Sequence, residues 1–183
     1  MSREEALKIV RENVKNKNLI KHMYAVEAVM GGLARYFGED EELWKLAGLL
    51  HDIDYDQTKD DAASHSLVGG EMLEEVGLPE ELVYAVKCHN DYHGLERKSL
   101  LDKALYATDP LTGLIVAAAL IRPEKKLEPV DVTFLVNRFH EKSFARGARR
   151  EVIASCSEMG LTLEEFMEIG LKAMKEAHQE LGL

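Results

Sequence analysis

An apolar segment that ends in a His-Asp pair constrains this chain most. The segment runs from Leu43 to Leu50, and His51 and Asp52 follow it directly. Asp40 can cap a helix here, and such a nearly continuous apolar segment is typical of a helix buried on most sides. Because adjacent side chains on a helix diverge by about 100°, both can bind one ion only beyond the helix end. The sequence therefore predicts a helix that ends in two metal-binding side chains.

Composition places the chain in a broad class. Its 183 residues are 46% hydrophobic and 31% charged, which is typical of a soluble globular domain. No apolar run approaches the ~20 residues of a membrane span, and the charged N-terminal residues do not resemble a secretory signal. Cys88 and Cys156 form no CxxC motif, so we expect two reduced, buried thiols. We expect a cytoplasmic protein with no membrane contact.

The net charge of −10 bears on the binding partner. Extended nucleic acid is bound through many Lys and Arg contacts to phosphates, so an acidic chain argues against it. A small anionic substrate remains compatible, because a bound cation can dominate the local field. The oligomeric state is not predicted.

Capping signals and helical periodicity predict an all-α bundle. Capping boxes are expected at Ser2 and Thr162, and Pro110 predicts a break that places the Asp109 carboxylate between two helices. Residues 56–63 and 90–98 are expected to be loops. A charged, proline-flanked segment at 122–129 separates a predicted core, residues 1–121, from a C-terminal helical extension, residues 130–183, that packs on it. The predicted helices cover about residues 2–14, 19–36, 40–50, 64–76, 79–89, 100–108, 112–121, 131–139, 144–159 and 162–181.

Further candidate metal ligands lie in these helices or at their ends. They are His22, His65, His89 and Asp109. Imidazole and carboxylate groups suit Mn, Fe, Co, Ni and Zn, and helical bundles build such sites from inward side chains on facing helices. The two oxygens of Asp52 could bridge two ions. We therefore expect one or two divalent transition metal ions.

The order of these residues resembles the HD superfamily of metal-dependent phosphohydrolases. The resemblance covers about residues 19–121 and implies an all-α bundle of the HD-domain type. It implies that one metal is held by His22, His51, Asp52 and Asp109, and a second by His65, His89 and Asp52. The implied reaction is hydrolysis of a phosphate ester, and the implied substrate is a nucleotide or another small phosphate ester.

The chain departs from the family pattern beside the doublet. Many HD hydrolases have a Glu or Lys one helical turn after the doublet's His, where this chain has Tyr55. We therefore expect Asp52, Asp54 and Tyr55 to be the catalytic candidates, with Asp54 or the Tyr55 hydroxyl in proton transfer. The signature of the cyclic-dinucleotide subgroup is absent after His89, so that substrate is not predicted.

Cationic side chains are the candidates for substrate binding. If Gly147 does not break the predicted helix, Lys142, Arg146 and Arg149 would share one of its faces. Lys142 or Arg149 could then contact a phosphate, or that face could be solvated and paired with nearby glutamates. His93 is expected to contact substrate or to be exposed, because the helix of His89 should have ended before it.

Two other functions share the same ligand order. The order also looks like that of the diiron oxygenases related to myo-inositol oxygenase, which would consume oxygen and contain iron. Alternatively, the metal only stabilises a non-catalytic domain, in which case Asp52→Ala would unfold the protein.

Overall fold

The computed structural model describes all 183 residues and contains only helices, turns and loops. The predicted all-α class is confirmed. The helices are α1 Arg3–Asn13, α2 Lys17–Phe37, α3 Glu41–Leu50, α4 Tyr55–Thr58, α5 Leu67–Glu75, α6 Glu80–Cys88, α7 Leu100–Leu120, α8 Val132–His140, α9 Arg150–Ala154, α10 Leu163–Glu176 and α11 His178–Leu181. Short 3-10 turns cover Asp91–His93 and Ser155–Met159. None of the helices combines the length and apolarity that crossing a bilayer requires.

Local signals fix several helix ends as predicted. Ser2 and Thr162 form capping boxes at the starts of α1 and α10, and Asp40 caps α3. Gly38 ends α2 in the left-handed region with φ 75°, a conformation that a side chain would strain.

The crossing of α2 and α3 positions the candidate site. Gly48 of α3 lies against the backbone of α2, where a Cβ atom would come within 2.8 Å of the Glu27 nitrogen. The two helices can approach this closely only because Gly48 has no side chain. This close crossing brings His51, at the end of α3, beside His22 on α2.

The C-terminal helices share the hydrophobic core with the rest of the chain. Gly170 of α10 faces Leu111 and Ile115 of α7, and Ala173 of α10 faces Gly32 of α2. One cluster of buried apolar side chains includes residues from both parts of the chain. The division into residues 1–121 and 130–183 stays a prediction.

Helix α7 corrects the expected break at Asp109. It continues from Leu100 to Leu120 with Pro110 inside it. Proline removes one helical hydrogen bond and would usually bend or end the helix. The apolar residues on both sides of Pro110 are buried in the same core, and we attribute the continuity to their burial, which outweighs that cost.

Two further predicted helices are shorter than expected. The helix predicted at 64–76 begins at Leu67, because Asp61 accepts hydrogen bonds from Ala63 and Ser64 and holds the chain in a turn. The helix predicted at 144–159 begins only at Arg150, and residues 141–149 form turns.

The Arg150 side chain explains the second of these differences. Its guanidinium donates hydrogen bonds to six backbone carbonyls, which belong to Arg138, Phe139, Glu141, Phe144, Ala145 and Ala148. A loop whose carbonyls are bonded in this way does not need helical partners. The segment Glu141–Arg149, named here the Arg150 loop, therefore has a defined shape without being a helix.

Candidate metal centre

The structure brings all six predicted ligands together. The Nε2 atom of His22 lies 3.2 Å from Nε2 of His51, 3.0 Å from Oδ1 of Asp109 and 3.8 Å from Oδ2 of Asp52. These residues form the first cluster. The other oxygen of Asp52 lies 3.5 Å from Nε2 of both His65 and His89, and these three residues form the second cluster. Asp52 thus offers one oxygen to each cluster.

Two of the histidines are held by their own helices. His51 and His89 are the C-terminal caps of α3 and α6. The Nδ1 atom of His51 lies 2.8 Å from the Gly48 carbonyl, and Nδ1 of His89 lies 2.6 Å from the Val86 carbonyl. The last carbonyls of a helix lack backbone partners, and an imidazole three residues later supplies one. Because a carbonyl can only accept, Nδ1 carries the proton and Nε2 presents a lone pair to the site.

The other two histidines are held by side chains distant in sequence. Nδ1 of His22 lies 3.2 Å from the hydroxyl of Thr112, which itself donates to the Asp109 carbonyl at 2.9 Å. Nδ1 of His65 lies 3.2 Å from Oδ1 of Asp54. The Asp54 carboxylate can only accept, and the Thr112 hydroxyl already donates to the Asp109 carbonyl. Both contacts therefore favour a proton on Nδ1, which leaves Nε2 of each imidazole available to a metal.

This proton arrangement fits a bound cation. The Nε2 lone pairs of His22 and His51 face each other at 3.2 Å, beside two carboxylates. Such an arrangement is repulsive unless a positive charge lies between the groups, and imidazoles held by a second hydrogen bond are typical metal ligands. Ligand atoms of His22, His51 and Asp52, and separately of Asp52, His65 and His89, lie close enough to share an ion. The residues therefore fit divalent transition metals.

The charges of the site agree with this geometry. Although burial raises the pKa of Asp52, the neighbouring imidazoles of His51 and His89 hold that pKa well below its ordinary value. Burial lowers the pKa of His51, but the adjacent Asp52 carboxylate leaves it raised overall. The same buried negative charge that favours protonation of the imidazoles would attract a metal cation.

Asp54 lies behind His65. It is fully buried, and its second oxygen accepts a hydrogen bond of 2.8 Å from the Ser66 nitrogen. A Cβ atom at Gly69 would approach Asp54 to 3.1 Å, so the glycine leaves room for the carboxylate. Asp54 does not line the pocket described below, and its contacts are those of a residue that orients His65. The predicted role of Asp54 in proton transfer gains no geometrical support.

Tyr55 and His93 also lie around His65. The Tyr55 ring is 39% exposed and contacts the His65 ring edge to face, with 5.1 Å between centroids. Nε2 of His93 lies 2.7 Å from the His65 carbonyl, so His93 supports the backbone at His65. Neither residue lines the pocket, so their roles in catalysis and in substrate binding stay predictions.

A cavity of about 350 Å³ opens onto both clusters and is named here the central pocket. Its walls include His22, His65, His89 and Asp109, and Arg149 stands at its rim. The guanidinium of Arg149 forms an ion pair with Asp91, and its Nη2 lies 3.3 Å from the Tyr106 hydroxyl. Asp91 accepts a further hydrogen bond of 2.9 Å from that hydroxyl. Sequence reasoning missed Asp91 and Tyr106, because no spacing relates them to Arg149.

The other predicted cations lie elsewhere. Lys142 and Arg146 are exposed on the Arg150 loop and do not line the central pocket. The expectation that Lys142, Arg146 and Arg149 share one helical face is wrong, because Arg150 folds this segment into turns. Only Arg149 of the three reaches the site.

A helical bundle that gathers four histidines and two aspartates around one pocket defines the class of a candidate metalloprotein. The family model of the HD domain matches residues 19–118, and the chain belongs to this family. The predicted resemblance is therefore confirmed. HD domains are metal-dependent phosphohydrolases that bind divalent metals, and the His/Asp centre fits that chemistry.

The chain is also similar to several bacterial proteins named ribonuclease Y. It is 33% identical to that of Desulfotalea psychrophila over 141 residues, which cover 74% of this chain and 26% of the relative. It is 30% identical to that of Lawsonia intracellularis over 141 residues, with the same coverage. It is 26% identical to that of Aquifex aeolicus over 170 residues, which cover 91% of this chain and 30% of the relative. The chain thus spans less than a third of these relatives, and no solved structure matches it significantly.

These relatives correct one prediction. We expected a small phosphorylated substrate and no extended nucleic acid, and the similarity to proteins named as ribonucleases overturns that expectation. The prediction used the charge of the whole chain. A net charge describes the average surface, whereas recognition of a phosphate depends on the few cations at the site. The family and the relatives together support a hydrolase.

Proposed function

We propose that this chain is a metal-dependent hydrolase of phosphodiester bonds in RNA, with one divalent ion in each cluster. The observation that carries the proposal is the pair of His/Asp clusters, joined by Asp52, at the base of an open pocket. The similarity to ribonuclease Y proteins supports RNA as the substrate class.

The proposed ligands have distinct positions. His22, His51 and Asp109 would hold one ion and His65 and His89 the other, with Asp52 contributing to both. Divalent ions bound there would supply an activated water near neutral pH and neutralise charge on the phosphoryl oxygens. The protein's own contribution is to fix four imidazoles and two carboxylates before substrate arrives, so that little rearrangement accompanies the reaction.

Arg149 is the proposed phosphate-binding residue. A guanidinium can donate two parallel hydrogen bonds to phosphate oxygens, and this one stands at the rim of the central pocket. Its ion pair with Oδ2 of Asp91 holds it in place. The same oxygen accepts a hydrogen bond from the Tyr106 hydroxyl, and Oδ1 of Asp91 lies 3.4 Å from Nη1 of Arg97. The phosphate would then replace or share the Asp91 contact.

The net acidic charge of the chain limits how strongly it attracts RNA. A protein of net charge −10 gains little from long-range attraction to RNA, so binding must depend on a few contacts near the metal centre. We therefore expect a shallow dependence of KM on salt, corresponding to about two or three neutralised phosphates rather than the six to ten of strongly basic proteins.

The test is cleavage of a 5′-labelled single-stranded RNA by the purified protein with Mn²⁺, with and without EDTA. Hydrolysis that requires the metal is the expected result. Metal-independent cleavage, or no cleavage with Mn²⁺, Co²⁺, Ni²⁺ or Mg²⁺, would contradict the proposal.

A matched pair of variants tests Arg149. Arg149→Lys keeps the charge but removes the paired hydrogen bonds, so we expect KM for RNA to rise about tenfold, the value of one charged hydrogen bond. Arg146→Lys makes the same change on the same loop outside the pocket, and its KM should match that of the wild type. Equal effects of the two variants would exclude the assigned role.

A further inference from the structure

A second cavity adjoins the candidate metal centre. Its volume is about 480 Å³, and it shares His22 and Gly113 with the central pocket but none of that pocket's other residues. Its apolar wall consists of Val116 and Leu120 from α7 together with Leu181 and Leu183. The two cavities therefore share part of their lining but differ in character.

Gly113 is one of the two residues that line both cavities, and the boundary at these residues is named here the junction. Gly113 is exposed on α7, and a Cβ atom there would meet nothing within 4 Å. The neighbouring residue, Thr112, bonds His22 and also lines the second cavity. No atom fills the space beside Gly113, and the other residue at the junction is a histidine of the first cluster.

The second cavity also contains an available cation. Lys21 lies along it, is exposed and takes part in no ion pair or hydrogen bond. Other basic groups near the metal centre already form ion pairs, as Arg149 and Arg97 do with Asp91. A free ammonium beside an apolar wall suits a ligand that has both a flat apolar part and a phosphate.

We propose that this cavity binds one nucleoside of the RNA strand, adjacent to the phosphate at the metal centre; it is named here the nucleoside groove. The base contacts Val116, Leu120 and the two C-terminal leucines, and Lys21 contacts the next phosphate. The volume lies within the range of small-ligand sites. Apolar walls contact the base without reading its edges, so the groove accepts any of the four bases. The inference rests on the proposed action on RNA.

Neighbouring apolar residues at the end of α7 provide a matched test. Leu120 and Ile121 are 49% and 52% exposed, and only Leu120 lines the nucleoside groove. We expect Leu120→Glu to raise KM for single-stranded RNA about tenfold, the value of one apolar side-chain contact, because its carboxylate occupies the base site. Ile121→Glu adds the same charge one residue away and should leave KM unchanged.

A small diester separates the nucleoside groove from the metal centre. Methyl 4-nitrophenyl phosphate reaches the metals without a nucleoside, so the loss caused by Leu120→Glu should be about tenfold larger on RNA than on this compound. An equal loss on both substrates, or equal behaviour of Leu120→Glu and Ile121→Glu, would overturn the inference and leave the proposed function standing. A wild-type protein that cleaves the small diester but no RNA would overturn both.

Lys21 and Gly113 give independent variants. Lys21→Gln should make the dependence of log KM on log salt shallower by about one, as expected for the loss of one phosphate contact, whereas Lys17→Gln on the same helix should not. Gly113→Phe fills the junction, and Gly113→Ala makes the same backbone change without filling it. RNA cleavage that is lost in the first and kept in the second supports the groove, and equal cleavage by both overturns it.

Discussion

Two pairs of histidines surround the same aspartate and are held in different ways. His51 and His89 are buried, with 0% and 4% of their side chains exposed, and each is tied to a carbonyl of its own helix. His22 and His65 are more exposed, at 25% and 13%, and each is tied to a side chain far away in sequence. The first pair is positioned by local structure and the second by tertiary packing.

The difference shows which ligands can be disturbed separately. A backbone carbonyl persists in every variant that keeps its helix, so no side-chain substitution removes the support of His51 or His89. Thr112 and Asp54 can be replaced, and each supports a histidine of a different cluster. The metal affinity of each cluster should therefore respond to its own supporting residue.

The largest effect is expected where the two clusters meet. Asp52→Asn removes the negative charge that both share, so metal content and RNA cleavage should both fall to background. The helices should remain folded, because the amide has the same shape and hydrophobic packing holds the core. Metal analysis, cleavage assays and circular dichroism of the purified variant provide the measurement.

The same residue separates the alternative functions. Unfolding of Asp52→Ala would favour a metal that only stabilises the domain. Iron-dependent oxygen consumption by the wild type would favour the diiron oxygenases related to myo-inositol oxygenase. A folded Asp52→Ala variant without RNA cleavage agrees with the proposed hydrolase.

A smaller effect, confined to the second cluster, is expected for Asp54→Ala. Loss of the carboxylate that orients His65 should weaken one of two metal-binding steps by about 10- to 100-fold. It also leaves the buried Ser66 N–H without a partner, at a cost of about 1–3 kcal/mol in the free energy of unfolding. Metal titration and chemical denaturation measure the two effects. Asp60→Ala, a loss of an exposed carboxylate nearby, should change neither.

The stability effect of Asp54→Ala should depend on pH. Burial raises the pKa of Asp54, but the His65 imidazole and the Ser66 N–H hold it below the ordinary 3.8. A carboxyl group with a lowered pKa in the folded state contributes its full stability above the unfolded value and loses it as pH falls through the folded value. The difference in unfolding free energy between wild type and Asp54→Ala should therefore be constant above about pH 5 and shrink below pH 3.8. A difference that grows with acidity would contradict this assignment.

The smallest effect is expected for Thr112→Val, which removes the acceptor for His22. The first cluster should lose about tenfold in metal affinity, the lower end of effects from supporting residues. Thr108→Val is a matched control one turn earlier, since Thr108 is equally buried and its hydroxyl has no partner. That variant should bind metal like the wild type and be slightly more stable, and metal titration with thermal melting compares the two. Equal metal affinities would show that Thr112 does not orient His22.

The locally determined parts of the site were predictable from sequence. The apolar helix before His51 and the helix before His89 both end where the pattern predicts, and these ends point the imidazoles to one place. A hydrogen bond from a histidine to a carbonyl of its own helix does not by itself identify a metal ligand, however. His178 makes the same kind of bond to the Lys175 carbonyl at the surface, away from any ligand cluster. The order of all six residues along the chain carried the prediction.

Features that depend on contacts between distant segments were not predictable. Burial of both flanks keeps α7 continuous at Pro110, and Asp54 and Asp61 keep His65 in a turn rather than in a helix. The partnership of Arg149 with Asp91 spans 58 positions and follows from the Arg150 loop. In each case, a tertiary contact overrides a correct local preference.

The Arg150 guanidinium holds the Arg150 loop through backbone atoms, so the path of the loop does not depend on which exposed side chains it carries. It bonds carbonyl oxygens alone, and every amino acid possesses one. The two exposed loop positions at the rim of the central pocket, 147 and 149, could therefore carry other side chains while the path of the loop stays the same. Substrate preference in such a protein can diversify on that rim without disturbing the helices that assemble the metal ligands, provided that a single arginine is kept.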